Sequence, residues 1–283
     1  MSRFANPTFP KRDCRHNPRM SNDSSWIETM PETYDRCLGP ALFTPYATHV
    51  AELVAARAPQ RVLELAAGTG ILTAELARLL PNARITATDL NPEMVSWAAP
   101  RVAKVDWRQA DAQRLDYPEA SFELVVCQFG VMFFPDKQRA FAEAARVLVP
   151  GGTMLFTVWD AVDGSDFAAA LVAAAAELLP EDPPTFLVRI PHGYTDPNKI
   201  RSDVRSGGLH VEVVDRVVLR GTAESARTVV EGYGLGTPMR FELEQRGSLD
   251  VLTDALADKL ARRLGPGPLE GDLTALVVSA LKP

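Results

Sequence analysis

Val62-Leu63-Glu64-Leu65-Ala66-Ala67-Gly68-Thr69-Gly70 reads as a buried strand running into a glycine turn. Val62 to Leu65 is short, apolar around one acid, and bounded upstream by Pro59, as expected of a parallel strand covered on both faces. Gly68 and Gly70 let the backbone turn tightly and approach a ligand closely. Ile71, Leu72, Leu76, Leu79 and Leu80 mark a helix over 71–80. Strand, two-glycine turn and helix N-terminus together make a nucleotide-binding corner.

Outward from that corner the chain alternates. Arg84 to Thr88 is a second strand ending at Asp89, and Asn91 caps a helix to Ala99 with Pro92 at its first position. Val105–Gln109 is a third strand, and Phe122–Cys127 a fourth leading into Gln128-Phe129-Gly130. A helix over Lys137–Val147 precedes a turn at Pro150-Gly151-Gly152 and a fifth strand, Thr153–Trp159. This rhythm predicts an α/β fold with a parallel sheet and right-handed crossovers. Upstream, Trp26–Cys37 and a segment from Ala41 read as helices broken around Gly39-Pro40. Beyond Trp159 come helices at Asp166–Leu179, Asn198–Ser206, 223–235 and 248–263, a β run at Val211–Leu219, and a last strand, Leu273–Leu281. The expected organisation is an arm over 1–24 and one domain over 25–283. Within that domain, N-terminal helices occupy 25–58 and lid segments lie within 164–264.

Composition narrows the function classes. With 283 residues, 46% hydrophobic and 23% charged, the chain is an ordinary globular one. A net charge of −6 argues against a nucleic-acid partner. Cys14, Cys37 and Cys127 are odd in number and widely spaced, which suits neither a disulfide framework nor a zinc site. No apolar run reaches the roughly 18 residues that would span a membrane. Met1–Asp23 contains Lys11, Arg12, Arg15 and Arg19 with several prolines but no apolar core, so it reads as a flexible arm and not a secretory signal. A cytoplasmic protein acting on small molecules, monomeric or homodimeric, is the expectation.

Two chemistries use such a corner, dinucleotide redox and S-adenosyl-L-methionine (SAM) binding. The redox fingerprint G-x-G-x-x-G would need a glycine where Thr73 stands, and Glu64 would repel a pyrophosphate. The same carboxylate suits the cationic amino-acid end of SAM. Asp89 can accept both hydroxyls of a ribose, which NAD and SAM share. Asp111, just after the third strand, can accept from an adenine amino group while the Ala112 N–H meets a ring nitrogen.

At this point the chain resembles the class I SAM-dependent methyltransferases, in particular the small-molecule group related to ubiquinone/menaquinone C-methyltransferases. VLELAAGTG at 62–70, TATDLNPEMV at 86–95, the run at 108–136 and EAARVLVPGGTMLFTVW at 143–159 carry the resemblance. It implies a Rossmann-like, seven-stranded, mostly parallel sheet whose last strand is antiparallel, with helices on both faces and a helical lid. It also implies that Glu64, Ala66, Gly68 and Gly70 surround the methionine moiety, with Leu90 and Met94 near the adenine. Gln128 and Phe129 would line the methyl-transfer site, and Tyr34 and Tyr46 would close over the cofactor. The reaction implied is O- or C-methylation of a small organic acceptor, leaving S-adenosyl-L-homocysteine (SAH). An NAD-type oxidoreductase and a non-catalytic SAM binder are the alternatives.

His192, in Ile190-Pro191-His192-Gly193-Tyr194, is the best-placed histidine for a general base, but no acid in the sequence pairs with it. The fourth strand ends in Cys-Gln-Phe-Gly. That is neither the Asn/Asp-Pro-Pro-aromatic grip on a planar amino group nor a Pro-Cys nucleophile. Gln128 stands where a metal-dependent enzyme would place an acid, so no metal is expected.

Overall fold

The computed structural model describes residues 30–283. The arm, Cys14, His16 and the start of the first helix at Trp26 lie outside the described residues. Two helices lead in, α1 (Met30–Leu38) and α2 (Thr44–Ala55). The alternating part follows: β1 (Arg61–Leu65), α3 (Ile71–Leu79), β2 (Arg84–Asp89), α4 (Pro92–Ala98), β3 (Asp106–Gln109), β4 (Phe122–Gln128), α5 (Lys137–Val147) and β5 (Leu148–Trp159). The remainder is α6 (Asp166–Leu178), α7 (Phe186–Arg189), α8 (Pro197–Ser206), β6 (His210–Ala223), α9 (Ala226–Gly236), α10 (Met239–Glu244), α11 (Leu249–Leu264) and β7 (Leu269–Leu281).

The seven strands form one sheet in the order β3-β2-β1-β4-β5-β7-β6. β1 pairs in parallel with β2 and β4, β2 with β3 and β4 with β5, whereas β7 is antiparallel to both β5 and β6. The expected seven-stranded sheet with an antiparallel last strand is therefore observed. Strand order reverses between β1 and β4, and in such sheets ligands bind at the carboxyl ends on either side of the reversal.

Side-chain alternation along the central strands explains the two apolar layers. Val62 of β1 and Leu124 and Val126 of β4 face a layer with Ala47, Val50 and Val54 of α2 and Leu72 and Leu76 of α3. Leu63, Val125 and Cys127 face the other, larger layer, which contains Phe141, Phe156 and the capping helices. Side-chain caps start two of the helices, the first of them at the Asn91 that the sequence marked. Asn91 Oδ1 accepts from the Glu93 N–H at 3.0 Å, and Asp136 Oδ1 from the Arg139 N–H at 2.9 Å.

Two local expectations change. The predicted break at Gly39-Pro40 is a π-helical turn, Gly39–Phe43, that joins α1 to α2. Proline lacks an N–H and its ring cannot sit against the carbonyl four residues back; the widened turn absorbs both demands without ending the helix. β6 runs to Ala223 and β7 begins at Leu269, so the two pair over their full lengths, from His210 opposite Leu281 to Ala223 opposite Leu269. Strand β6 and helix α8 thus belong to the sheet and its packing layer, and α6, α7 and α9–α11 form the cap with α1.

The π turn is held by close backbone contact. A Cβ on Gly221 of β6 would lie 1.9 Å from the Ala41 carbonyl oxygen, a gap that no side-chain movement can open. Gly221→Ala is expected to destabilise the fold by about 3 kcal/mol. Urea unfolding compared with wild type measures it, and an unchanged midpoint would refute the contact.

Candidate active site

The corner after β1 is built from left-handed backbone: Ala66, Gly68 and Gly70 have φ of 52°, 57° and 88°. Three such residues in five turn the chain sharply from strand to helix. The Ala67 N–H donates to the Thr88 carbonyl at 2.9 Å, and Thr88 Oγ1 donates to the Glu64 carbonyl at 2.8 Å, stitching the ends of β1 and β2 together. A Cβ on Gly68 would meet nothing within 4 Å, so this residue fronts open space. A Cβ on Gly70 would touch the Trp107 ring at 3.1 Å and Ala98 Cβ at 3.2 Å, which makes Gly70 the packed side of the turn.

Asp89 sits astride this corner. Its Oδ2 accepts from the Gly68 N–H and its Oδ1 from the Asn91 N–H, each at 2.9 Å. Burial raises its carboxyl pKa, and the N–H donors oppose that rise. Each oxygen retains acceptor capacity for a further donor. Glu64 is fully buried, with Thr73 Oγ1 donating to its Oε2 at 2.7 Å. Thr73, which occupies the missing third-glycine position, therefore holds the acid of the first strand. Burial pushes Glu64 up to about 8, against the Thr73 hydrogen bond and with a smaller contribution from nearby Asp89.

Further along the same crevice, Asp111 Oδ1 accepts from both the backbone and side-chain nitrogens of Gln113, at 2.8 and 3.1 Å. Ala112 and Met94 are buried, and Leu90 is exposed at the lip. Across the strand reversal, Gln128 donates from Nε2 to the Phe43 carbonyl at 3.3 Å. Its Oε1, like Thr69 Oγ1, is buried without a partner among the described residues. Open space before Gly68, acceptors on Asp89 and two orphaned polar atoms are what a polar ligand lying across the strand ends would complete.

Phe129 adopts a left-handed φ of 54°, with its N–H bound to Thr157 at 3.1 Å. Its ring stacks on Trp159 with centroids 3.7 Å apart and planes 7° from parallel. Behind this stack opens a largely apolar cavity. Tyr34, Leu38, Leu42, Phe43, Phe133, Phe186, Leu187, Pro191, His192, Tyr233 and Thr237 complete its wall, and among the described residues no Asp, Glu, Lys or Arg side chain lines it. Small residues on α9 bring its helix close to α1: a Cβ on Gly236 would lie 2.9 Å from the Tyr34 backbone nitrogen.

Eleven of the residues singled out by sequence stand on the carboxyl ends of β1–β4 or in the segments that follow them. Tyr34 joins them: its ring stacks on Phe43 at 4.8 Å, and burial, then the charge of Asp89, raises its phenol pKa. Tyr46 does not. Its hydroxyl is turned into the sheet, within 2.8 Å of the Val217 carbonyl and 2.7 Å of the Leu273 carbonyl. Its ring meets Phe129 and Trp159 edge-on from behind, at 5.1 and 5.5 Å. Sequence reading missed the aromatic cavity. Trp159 ends β5 beside Phe129 at the end of β4, and that adjacency was the available signal; Phe186 and Tyr233 gave none. Among the described residues no cluster of three His, Cys, Asp or Glu could hold a metal, and no helix is long and apolar enough to cross a membrane. Cys37 and Cys127 are free and buried, and burial pushes the Cys127 thiol up to about 12.

Comparison with known proteins agrees with this geometry. Residues 62–152 match the family model described as a methyltransferase domain. Over those residues the chain carries a methyltransferase domain, and its sequence there is similar to that of ubiquinone/menaquinone C-methyltransferases. Demethylmenaquinone methyltransferase of Deinococcus radiodurans is 38% identical over 104 residues, which are 35% of this chain and 43% of that protein. Ubiquinone/menaquinone biosynthesis C-methyltransferase UbiE of Stutzerimonas stutzeri is 32% identical over 136 residues, 46% of this chain and 53% of that protein. The chain spans about half the length of these relatives. In fold it is similar to phosphoethanolamine N-methyltransferase 2 of Haemonchus contortus, solved in complex with SAM. The TM-score is 0.56 at 18% identity, over 93% of this chain and 60% of that one. It is also similar to the [4+2]-cyclase SpnF, with TM-score 0.52 at 20% identity over 83% and 80% of the two chains. Neighbours with such different chemistry show that the fold leaves the reaction open.

Tyr46→Phe is expected to lower stability by about 1 kcal/mol, because buried carbonyls lose a donor. SAM affinity should stay within twofold of wild type. Denaturant unfolding and calorimetric titration separate the two effects, and a large loss of affinity with unchanged stability would return Tyr46 to the cofactor.

Proposed function

We propose that this chain is a SAM-dependent methyltransferase that binds its cofactor across the ends of β1–β3 and a small, uncharged organic acceptor in the aromatic cavity behind Phe129. The observation that carries this reading is that Glu64, Asp89 and Asp111 stand at or just beyond the carboxyl ends of the neighbouring strands β1, β2 and β3, with Asp89 bonded to the open, left-handed Gly68. Asp89 would hold the ribose hydroxyls, and Asp111 with the Ala112 N–H the adenine edge. Leu90 and Met94 would flank the base. Glu64, Ala66, Gly68 and Gly70 would surround the methionine moiety, with Gln128 and Phe129 at the methyl-transfer site and Tyr34 closing it. The family match, and a fold neighbour solved with SAM, support the choice of cofactor.

When bound, SAM supplies an activated methyl group on a cationic sulfur. The task left to this chain is alignment and exclusion of water. Holding a nucleophile in line at near-attack distance is worth roughly 7–11 kcal/mol. The stacked Phe129 and Trp159 are rigid walls suited to that task, and the aromatic lining keeps the cavity dry.

Asp89→Ala is expected to abolish SAM binding while the chain still folds. Retained micromolar affinity in a calorimetric titration would refute the ribose assignment. Glu64 gives a second test. In the ligand-free chain its carboxyl titrates near 8, well above the usual carboxylate range, so it is neutral at pH 6.5. A cationic ligand favours its ionised form, so binding should release close to one proton at pH 6.5 and weaken as pH falls. Titrations in buffers of different ionisation enthalpy count that proton. Glu64→Gln should remove the release, and proton-neutral binding by wild type would sink the assignment.

A further inference from the structure

We infer that His192 is the general base of this site and that the acceptor it serves is a flat, uncharged aromatic molecule attacking through a weakly acidic hydroxyl. This rests on the methyltransferase reading above and names the acceptor class and the residue that activates it. His192 is buried, lines the cavity, and lies 6.2 Å from the Trp159 ring. Its Nδ1 is 2.7 Å from the Asp160 backbone carbonyl. A carbonyl only accepts, so Nδ1 carries the proton and Nε2, on the opposite edge of the ring, keeps its lone pair. No described group is bonded to Nε2. The acid that the sequence lacked is replaced by a main-chain carbonyl, which fixes the tautomer equally well.

The surrounding chain holds the ring in place. The His192 N–H donates to the Leu187 carbonyl at 2.9 Å. A Cβ on the next residue, Gly193, would overlap the Arg189 carbonyl, so the loop is pressed against α7. Tyr194 then donates to Asp203 Oδ2 at 2.9 Å, anchoring the far side of the loop to α8.

Charge favours a neutral base and a neutral acceptor. The groups facing His192 are Asp160, whose carboxylate is paired with Arg216 at 2.6 Å, and the phenols of Tyr34 and Tyr233 in the cavity wall. On the α7 side, Arg189 is paired with Glu242 at 3.1 Å. Burial lowers the His192 pKa, and the Asp160 carbonyl and carboxylate only partly oppose it, so the ring is unprotonated at neutral pH. An acceptor bearing a formal charge would enter a wall with no counterion. The aromatic side chains of Phe129, Phe133, Trp159 and Phe186 in the wall would favour contact with an aromatic acceptor. In the transfer itself the hydroxyl proton passes to Nε2, and the acceptor oxygen forms the new C–O bond to the methyl carbon. The electron pair of the breaking S–C bond stays on sulfur, which becomes a neutral thioether. His192 afterwards loses its proton to solvent.

The test uses the whole chain, SAM carrying a labelled methyl group, and 2-naphthol as probe, with 2-naphthylamine and 2-naphthalenethiol as controls. The expected result is labelled 2-methoxynaphthalene, formed at a kcat that is flat from neutral pH upward. Without a base, kcat would climb tenfold per pH unit toward the phenol's own ionisation, near pH 10. His192→Gln should lower kcat by about 10²–10⁴-fold, leave SAM affinity within twofold, and restore that climb. Should the variant fold poorly, the wild-type pH profile alone decides between the two slopes. Transfer that survives His192→Gln, a wild-type rate that climbs to pH 10, or methylation confined to the amine, the thiol or a ring carbon overturns the inference while leaving the methyltransferase reading intact. So does SAM binding with no transfer to the naphthol. Absence of SAM binding overturns both.

Discussion

The carboxylate of Asp89 is the constraint on which the rest of this site depends. It bonds the Gly68 N–H with one oxygen and the Asn91 N–H with the other, and so ties the turn after β1 to the turn after β2. It adds to the bonds from the Ala67 N–H to the Thr88 carbonyl and from Thr88 Oγ1 to the Glu64 carbonyl, and so helps to hold the left-handed Ala66 and Gly68 in one shape. With it, Gly68 is presented to open space, Gly70 is pressed onto Trp107 and Ala98, and α3 and α4 both begin at the same crevice. One side chain organises the corner and remains able to accept from a ligand there. This economy is possible because a carboxylate has about four acceptor sites and the corner uses two.

A second device sits across the strand reversal. A non-glycine residue at φ 54° costs about 1–2 kcal/mol, and Phe129 adopts it. Stacking on Trp159 and edge contact with Tyr46 return about 0.5–1.5 kcal/mol each. Tyr46 is in turn pinned by its hydroxyl to the backbone of β6 and β7. The antiparallel β6–β7 pair at the far side of the sheet therefore braces the aromatic ring at the end of β4. This gives the long β6–β7 pairing a part in shaping the site, although neither strand contributes a residue to the crevice.

The fold up to Trp159 was legible because its signals are local: apolar runs of strand length, a capping residue at Asn91, and acids at strand ends. The β1 corner and its acids were legible for the same reason. What escaped depends on contacts distant in sequence. Pro40 signals a break unless Gly221 of β6 is there to let a π turn lie against it. The direction of Tyr46 is set by carbonyls 171 and 227 residues away. The aromatic cavity gathers residues from α1, the π turn, β4, β5, α7 and α9, and no spacing rule links them. His192 gave no sign of an orienting partner because that partner is a main-chain carbonyl, which every residue possesses.

Charge is divided between the two halves of the site. Three carboxyl groups stand at the ends of β1–β3, and among the described residues none lines the cavity behind Phe129. A methyl transfer from a cationic sulfur to a neutral oxygen, with the proton taken by a neutral imidazole, moves positive charge away from the strand ends. Carboxylates close to the sulfur would stabilise the starting cation and raise the barrier; in a low-dielectric site this effect is large. Glu64, which a bound cation would ionise, is held by its hydrogen bond from Thr73 on the α3 side of the corner. Asp89 is committed to the corner. The aromatic faces of Phe129 and Trp159 attract a cation only weakly compared with a carboxylate. Under the proposed reaction, that arrangement binds the cofactor by its ends and leaves its reactive centre facing apolar walls, where dispersing the charge is favoured.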